Sequence, residues 1–401
     1  MKSKKHVLCT YRKDREKIGI LMRIRNLNEG LVLKTIEKNG SISRADICKI
    51  VGLTPPAVSD IVKDLIDRGI VDEIGKGDSS GGKRPILLKL NPKAAYILAV
   101  DLGGENGIRV ALMDLFNDIV EERLGPKIEL LKGRELKDAL EVTINDLIKE
   151  VDIPKEKILG VCIGVPGIID FKLKKVTIAP YLNWEISLEN LALREIGIPI
   201  TIENDVNLMA LGERAKGIAQ GVDNFVFVGE RIGIGAGIVT NGKLYTGANN
   251  AAGEVGYLLI DTKYAHRNNR GYGCFEKLAS YKAVVEKAKK KIGKAVRAID
   301  VFKAAARGDS IAIGIVKETL KFLAYGISNI SCMLDPELVV IGGGISILPD
   351  DFLEEIRVNI KKVIPLVPRM EFSKLGEDGV LIGAAVKVLE PLKREGLMAL
   401  K

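Results

Sequence analysis

The sequence predicts a winged helix-turn-helix DNA-binding domain over residues 1–92, basic N-terminal arm included, joined to two similar α/β lobes over 96–204 and 205–401. Three observations carry that prediction. Excess positive charge is confined to the first quarter of the chain. The same quarter reads as three short helices and a hairpin. The remainder runs twice through hairpin strands followed by alternating helix and strand, the pattern of two lobes facing a cleft. The C-terminal helix is free to pack back on the first lobe.

Residues 1–97 hold 20 of the 61 Lys and Arg but only 11 of the 52 Asp and Glu, so the net charge of +9 sits there and the rest is neutral. A basic module on a neutral body suits a polyanion partner. At 401 residues the chain is long enough for two or three domains with sizeable cores. No apolar run reaches membrane-spanning length, and the start, MKSKKHVLCTYRKDREKIG, lacks a hydrophobic signal segment. A cytoplasmic protein with no membrane partner is expected. Five scattered cysteines (Cys9, Cys48, Cys162, Cys274, Cys332) argue against a disulfide framework and a zinc ribbon. With His6 and His266 as the sole histidines, histidine catalysis and multi-histidine metal sites are disfavoured too. A single glutamine, Gln220, beside abundant Lys, Glu and Ile leans towards a thermophile.

In NEGLVLKTIEKNG, Leu31, Val32, Thr35 and Ile36 fall at helical spacing and Gly40 stops the helix. SRADICKIVGL starts a second helix, with Ser43 as N-cap and Asp46 three residues on, a variant of the capping box. Thr54 caps a third, Pro55 suits its first turn and Gly69 ends it. Val58, Ile61, Val62, Leu65 and Ile66 form its apolar face. That leaves Pro55, Pro56, Ala57, Ser59, Asp60 and Lys63 to a DNA groove, with Thr54 and Arg44 as further DNA-binding candidates. Asp60 is repelled by phosphate, yet it can accept a hydrogen bond from a cytosine amino group. The stretch IVDEIGKGDSSGGKRPILLKLNP gives two strands around a glycine-rich tip with Lys83 and Arg84. This is a wing whose tip reaches phosphates or a minor groove. The expected partner is double-stranded operator DNA, bound by a homodimer at a palindromic site.

The neutral part begins with a strand, an Asp-Leu-Gly-Gly turn and a second strand over Tyr96–Leu115, then a strand in NDIVEERLG and a helix in GRELKDALEVTINDLIKE. KILGVCIGVPGIID is a buried strand entering a glycine-proline loop; LENLALREIG is a helix, IPITIEND a strand and VNLMALGERAKG a helix. The second half repeats the theme. Strands run through NFVFVGERIGIGAGIVTNGKLY, helices through CFEKLASYKAVVEKAKKK and SIAIGIVKETLKFLAYGISNISCML, and a strand through ELVVIGGGIS.

Seven short runs stand in order along these lobes: DLGG at Asp101–Gly104, GVPGIID at Gly164–Asp170, ENDVN at Glu203–Asn207, GIGAG at Gly233–Gly237, GEVGY at Gly253–Tyr257, GCFE at Gly273–Glu276 and IGGG at Ile341–Gly344. Each alone is an ordinary glycine turn. Together, behind a winged helix, they resemble the ROK family of sugar kinases and sugar-responsive repressors over nearly the whole chain from Asn28. Its repressor branch, of the xylose-repressor type, is the nearer likeness. The resemblance implies an actin-like ATPase (ribonuclease H-like) fold, with sugar and, in the kinases, ATP meeting between the lobes. It implies that Asp205 is the general base of a kinase and that Asn204 holds sugar hydroxyls. Gly167, Glu254, Glu276 and Tyr257 border the same pocket; the family often has histidine where Tyr257 stands. Asp205 also reads as the N-cap of a helix starting at Val206.

The phosphate side departs from the family's kinases. Their first loop is Asp-x-Gly-Gly-Thr; here Asp101, Gly103 and Gly104 are kept but Glu105 replaces the threonine. Their second is Gly-Thr-Gly-x-Gly; here Arg231 and Ile232 precede Gly233 and Gly235. Both hydroxyls are gone, and a carboxylate facing phosphate costs about 4 kcal/mol at an effective dielectric near 20. Many members bind zinc through a histidine and a Cys-x-Cys-Gly-x-x-Gly-Cys run. Here those positions are Tyr257, Arg267, Asn269 and Cys274, with His266 nearby, so no metal is expected. The implied function is a sugar-responsive transcriptional repressor with a sugar as effector and no cofactor. The alternative is an ATP-dependent sugar kinase, of glucokinase or N-acetylglucosamine kinase type, that carries a DNA-binding domain and uses ATP and Mg²⁺.

Overall fold

A computed structural model describes residues 25–78, 84–104, 107–128, 131, 134–170, 175–178, 185–187, 197–231, 233–265, 272–293 and 296–394. Lys83, Glu105, Ile232, the helix predicted around 188–196 and the run from His266 to Asn269 lie outside them.

The first part is α1 (residues 25–39), β1 (Ile42–Ser43), α2 (Arg44–Val51), α3 (Pro55–Asp67), β2 (Val71–Lys76) and β3 (Ile86–Leu90), its strands ordered β1-β3-β2. Ser43 caps α2 reciprocally with Asp46: its hydroxyl accepts from the Asp46 N–H at 3.2 Å and donates to the Asp46 carboxylate at 2.7 Å. Thr54 corrects the expectation. It occupies the N-cap of α3 in extended conformation, but its hydroxyl makes no cap bond. Pro55 and Pro56 remove two of the N–H groups that open this helix, so a side-chain cap has less to satisfy. Val32, Ile36, Ile47, Val58, Val62, Leu65 and Leu88 are fully buried between the three helices and the hairpin.

Two five-stranded sheets follow, built alike. The first lobe contributes β4 (Tyr96–Asp101), β5 (Arg109–Met113), β6 (Ile119–Leu124), α4 (Arg134–Val151), β7 (Ile158–Val165), β8 (Gly167–Asp170), β9 (Lys175–Ile178), β10 (Glu185–Ser187) and β11 (Ile200–Asn204). Its large sheet runs β11-β7-β4-β5-β6, while β8, β9 and β10 form a small antiparallel sheet. Then come α5 (Asp205–Lys216), β12 (Phe225–Glu230), β13 (Ile234–Thr240), β14 (Lys243–Leu244), α6 (Glu276–Ala279), α7 (Tyr281–Ile292), α8 (Ala298–Ala306), α9 (Ser310–Leu334), β15 (Leu338–Gly343), α10 (Asp351–Lys361), β16 (Arg369–Phe372) and α11 (Asp378–Arg394). The second sheet runs β14-β13-β12-β15-β16. In each sheet three antiparallel strands lead into two parallel ones. Every residue of β4, β7, β12 and β15 is buried, as expected of central strands covered on both faces.

One predicted helix is two. Ser280 turns extended between α6 and α7, and its hydroxyl accepts from the Ala283 N–H to start the second. A periodic run hides such a break, because serine is tolerated inside helices as well as at their caps. At the centre α11 lies on β4 and β7 of the first sheet, α5 lies on β12 and β13 of the second, and the two helices pack on each other. Among the described residues no helix is long and apolar enough to cross a membrane.

Candidate functional site

Two turns meet where the lobes face each other: the one leaving β4 and the one joining β12 to β13. Asp101, the last residue of β4, is fully buried and accepts from the Gly103 N–H at 2.8 Å. Across from it, Arg231 leaves β12 and is 5% exposed, which for a guanidinium demands partners. It has them. Nη1 donates to Asp205 at 2.7 Å and to Asp101 at 3.3 Å; Nη2 donates to Asp101 at 2.8 Å and to Glu377 at 2.5 Å. All four terminal N–H groups of the fork are thereby committed.

The glycines of the first turn close on this group. A Cβ on Gly103 would stand 2.2 Å from the Asp205 carboxylate and 2.6 Å from the Arg231 guanidinium, so only glycine fits. The glycines after Arg231 are also occupied by protein. A Cβ on Gly233 would meet the Glu276 carboxylate at 2.4 Å, and one on Gly237 would meet Ala210 of α5 at 2.5 Å. Their alternate spacing therefore lets β13 lie against α5 and Glu276.

A nucleotide does not fit these groups. A triphosphate needs free donors, and Arg231 has spent its own on carboxylates. Mg²⁺ needs free carboxylate oxygens, and Asp101 and Asp205 already face a guanidinium. One cation among three carboxylates also leaves the cluster negative, which repels phosphate.

The sugar-side candidates converge next to this cluster. Asn204 ends β11 and is the N-cap of α5: its Oδ1 accepts from the Val206 and Asn207 N–H groups at 2.9 and 3.0 Å. This corrects the expected cap by one residue, since Asp205 is already the first residue of the helix. Asp205 Oδ1 shares the Val206 N–H at 2.9 Å, and its Oδ2 turns to Arg231. Asn204 Nδ2 donates to the Gly167 carbonyl at 3.1 Å, fixing the amide and drawing the β7–β8 loop to the same point. Glu276 is anchored by the Ile234 and Gly273 N–H groups at 3.3 and 3.0 Å.

Burial pushes Asp205 up to about 6, with Arg231 opposing and Asp101 adding to the rise. Burial likewise pushes Glu254 up to about 7, helped by Glu276 and then Asp205, and raises Glu276 against its two backbone donors. Tyr257 is 39% exposed, and partial burial, then Glu276 and Glu254, hold its phenol above the usual value. Carboxyls raised in this way can accept from or donate to hydroxyls, as polyol recognition needs. Glu254 ionises in an unfolded chain near 4.5 but in the folded one near 7, so the folded state binds the extra proton between them. Stability should therefore fall as pH rises through that window, by on the order of 3 kcal/mol. Thermal midpoints of the chain and of Glu254→Gln at pH 5 and pH 8 check this: the variant should lose much of the decline.

Cys274 is buried, with its thiol near the Asp261 carbonyl, and Tyr257 offers a phenol where the family often has an imidazole. These groups do not make a zinc donor set. The sequence singled out Arg231 without giving it a role and missed Glu377 altogether. The one signal available for Arg231 was its replacement of a residue the family's kinases need small.

On the winged helix, Pro55, Pro56, Ser59, Asp60 and Lys63 are exposed on α3, as is Thr54 before it, and Ala57 is half-buried. Arg84 is exposed beside the wing tip. Arg44 is held by Glu73 of β2 at 2.8 Å, a partly exposed pair that a phosphate can displace.

Comparison with known proteins agrees with this architecture. The model of the ROK family matches residues 97–390, and that of a winged helix-turn-helix DNA-binding domain matches 25–72. Over 392 residues the chain is 33% identical to a putative xylose repressor of Caldicellulosiruptor sp. strain Rt8B.4, covering 92% of this chain and 97% of that one. A structure described as a ROK family transcriptional regulator, homologue of the Escherichia coli MLC protein, superposes with TM-score 0.78 at 24% identity, covering 94% of this chain and 99% of the other. A ROK family glucokinase of Streptomyces griseus, solved with glucose and AMPPNP, superposes with TM-score 0.63 at 24% identity over 73% of this chain and 98% of its own. These two likenesses are of fold.

Proposed function

The chain belongs to the ROK family, and we propose that it is a transcriptional repressor that binds operator DNA through its winged helix and takes a sugar as effector between the lobes. The observation that carries the reading is Arg231. Its four hydrogen bonds to Asp101, Asp205 and Glu377 fill the space on which both turns close, so the cleft keeps polar groups for a sugar and none for a nucleotide. Asn204, Asp205, Glu254, Glu276, Tyr257 and the Gly167 carbonyl are its sugar-facing groups. Two copies of the chain engage a palindromic site, as the symmetry of dimeric winged-helix regulators requires. The name of the relative from Caldicellulosiruptor makes D-xylose the first effector to try.

A thermal-shift panel of pentoses and hexoses, each with and without ATP and Mg²⁺, tests the reading, because a ligand of the folded state raises the midpoint by mass action. A sugar-dependent rise with no response to ATP is expected. A response to ATP together with ADP formation would make the chain a kinase.

The wing is tested separately. Lys83→Ala, Arg84→Ala should weaken binding to operator and random DNA alike, since phosphate contacts carry little sequence information. Each lost contact should flatten the log–log salt dependence by about one unit. Titration of the double variant at two salt concentrations reads both, and unchanged affinity and slope would place the wing off the DNA.

A further inference from the structure

We propose that Arg231 and helix α11 form the route by which occupancy of the cleft reaches the DNA-binding helix; the proposal rests on the sugar-repressor reading above. Arg231 belongs to the second lobe, yet one of its partners, Glu377, immediately precedes α11, which lies on the first sheet. The neighbouring Asp378 opens α11 and is held by Arg109 of β5 at 2.7 Å. The 17 residues of α11 span about 25 Å. At its far end Lys393 donates to the Leu115 carbonyl at 3.0 Å and to Glu37 of α1 at 2.5 Å, and the lysine is only 15% exposed. From α1, Glu29 receives a two-pronged bond from Arg68, at the end of α3, at 3.0 and 3.2 Å. Each link is a charged contact with a small set of discrete geometries.

Two features let a change travel. Helices α5 and α11 touch backbone to backbone: a Cβ on Gly383 would stand 1.8 Å from the Leu208 carbonyl oxygen, and one on Gly212 would stand 2.3 Å from that of Gly379. They therefore shift as one body carrying both Asp205 and Glu377. Where that body meets the winged helix, Val32 and Ile36 of α1 share one buried apolar core with Val386 and Leu389 of α11, and a polar gap lies beside that seam. A cavity of about 260 Å³ is lined by Lys34 of α1, Arg214 of α5 and Glu390 of α11. A sugar hydroxyl that takes Asp205 competes with Arg231 Nη1, and the guanidinium redistributes onto Asp101 and Glu377. The helix pair then changes its seat against α1, and α1 carries α3 with it.

The test uses the full chain, a DNA duplex selected by it from a random pool, and D-xylose as probe. Lys393→Met should bind both the duplex and xylose within about twofold of wild type. The xylose-induced change in DNA affinity, about 5- to 150-fold for ordinary allosteric couplings, should shrink at least fivefold, and Lys393→Arg should restore it. An undiminished change in Lys393→Met and in Glu37→Gln overturns the proposal and leaves the sugar-repressor reading standing. A second measurement needs neither ligand nor DNA. In Glu377→Gln, hydrogen exchange of residues 25–39 should change at least twofold while that of α8, which packs on α7 and α9, stays constant. Equal exchange in α1 of variant and wild type overturns the route even if no sugar is found to act.

Discussion

Arg231→Met is expected to cost about 3–5 kcal/mol at pH 8, the penalty for stripping the partner from a buried ionic cluster. The variant leaves Asp101 and Asp205 inside the protein with no cation, and Glu377 without its partner. The cost should shrink at pH 5. Asp205 already holds its proton to about 6 in the native chain, and without the guanidinium it holds it more tightly. A protonated carboxyl no longer needs the counter-charge, so acid relieves the variant more than the wild type. Denaturation of both at the two pH values measures this. Arg297→Met is the control, since Arg297 and its partner Asp300 are both exposed; it should change stability by less than about 1 kcal/mol at either pH. Equal costs for Arg231→Met at both pH values, or none, would mean the cluster is not a charge-neutralising device.

Asp205→Asn is expected to weaken sugar binding by about 10- to 150-fold, the worth of one hydrogen bond to a charged group. Asn204 needs a gentler change, because its side chain also caps α5 and its loss costs about 1 kcal/mol of stability. Asn204→Ser keeps a good cap and removes the donor to the Gly167 carbonyl, so it separates sugar binding from helix stability. Calorimetry with the responding sugar reads both variants. Wild-type affinity in both would remove these residues from the pocket.

The winged helix was legible because its signals are local. Ser43 with Asp46, the prolines at the start of α3 and the apolar face from Val58 to Leu65 each act within one or two turns of helix. The doubled α/β pattern was legible for the same reason: β4, β7, β12 and β15 are apolar apart from the terminal Asp101 and Glu230, and each is followed by a glycine turn. The ionic cluster was not. Arg231 lies 130 residues from Asp101 and 146 from Glu377, and no periodicity links such positions until the sheets are built. Glu377 sits in a short run before the last helix, where an acidic residue is ordinarily explained by the helix dipole alone. Likewise the glycines of GIGAG look alike whether they approach phosphate or a neighbouring helix; only the position of α5 decides between the two.

The most direct test of a sugar-responsive regulator with its nucleotide site closed is fluorescence anisotropy of the full chain on its selected duplex. D-xylose and ATP with Mg²⁺ are added in separate arms, and ADP is assayed in the second. The account predicts that the sugar changes DNA affinity about fivefold or more, that ATP leaves it unchanged, and that no ADP forms. DNA affinity indifferent to xylose and to every other sugar of the panel, with ADP released when sugar and ATP are combined, would contradict it.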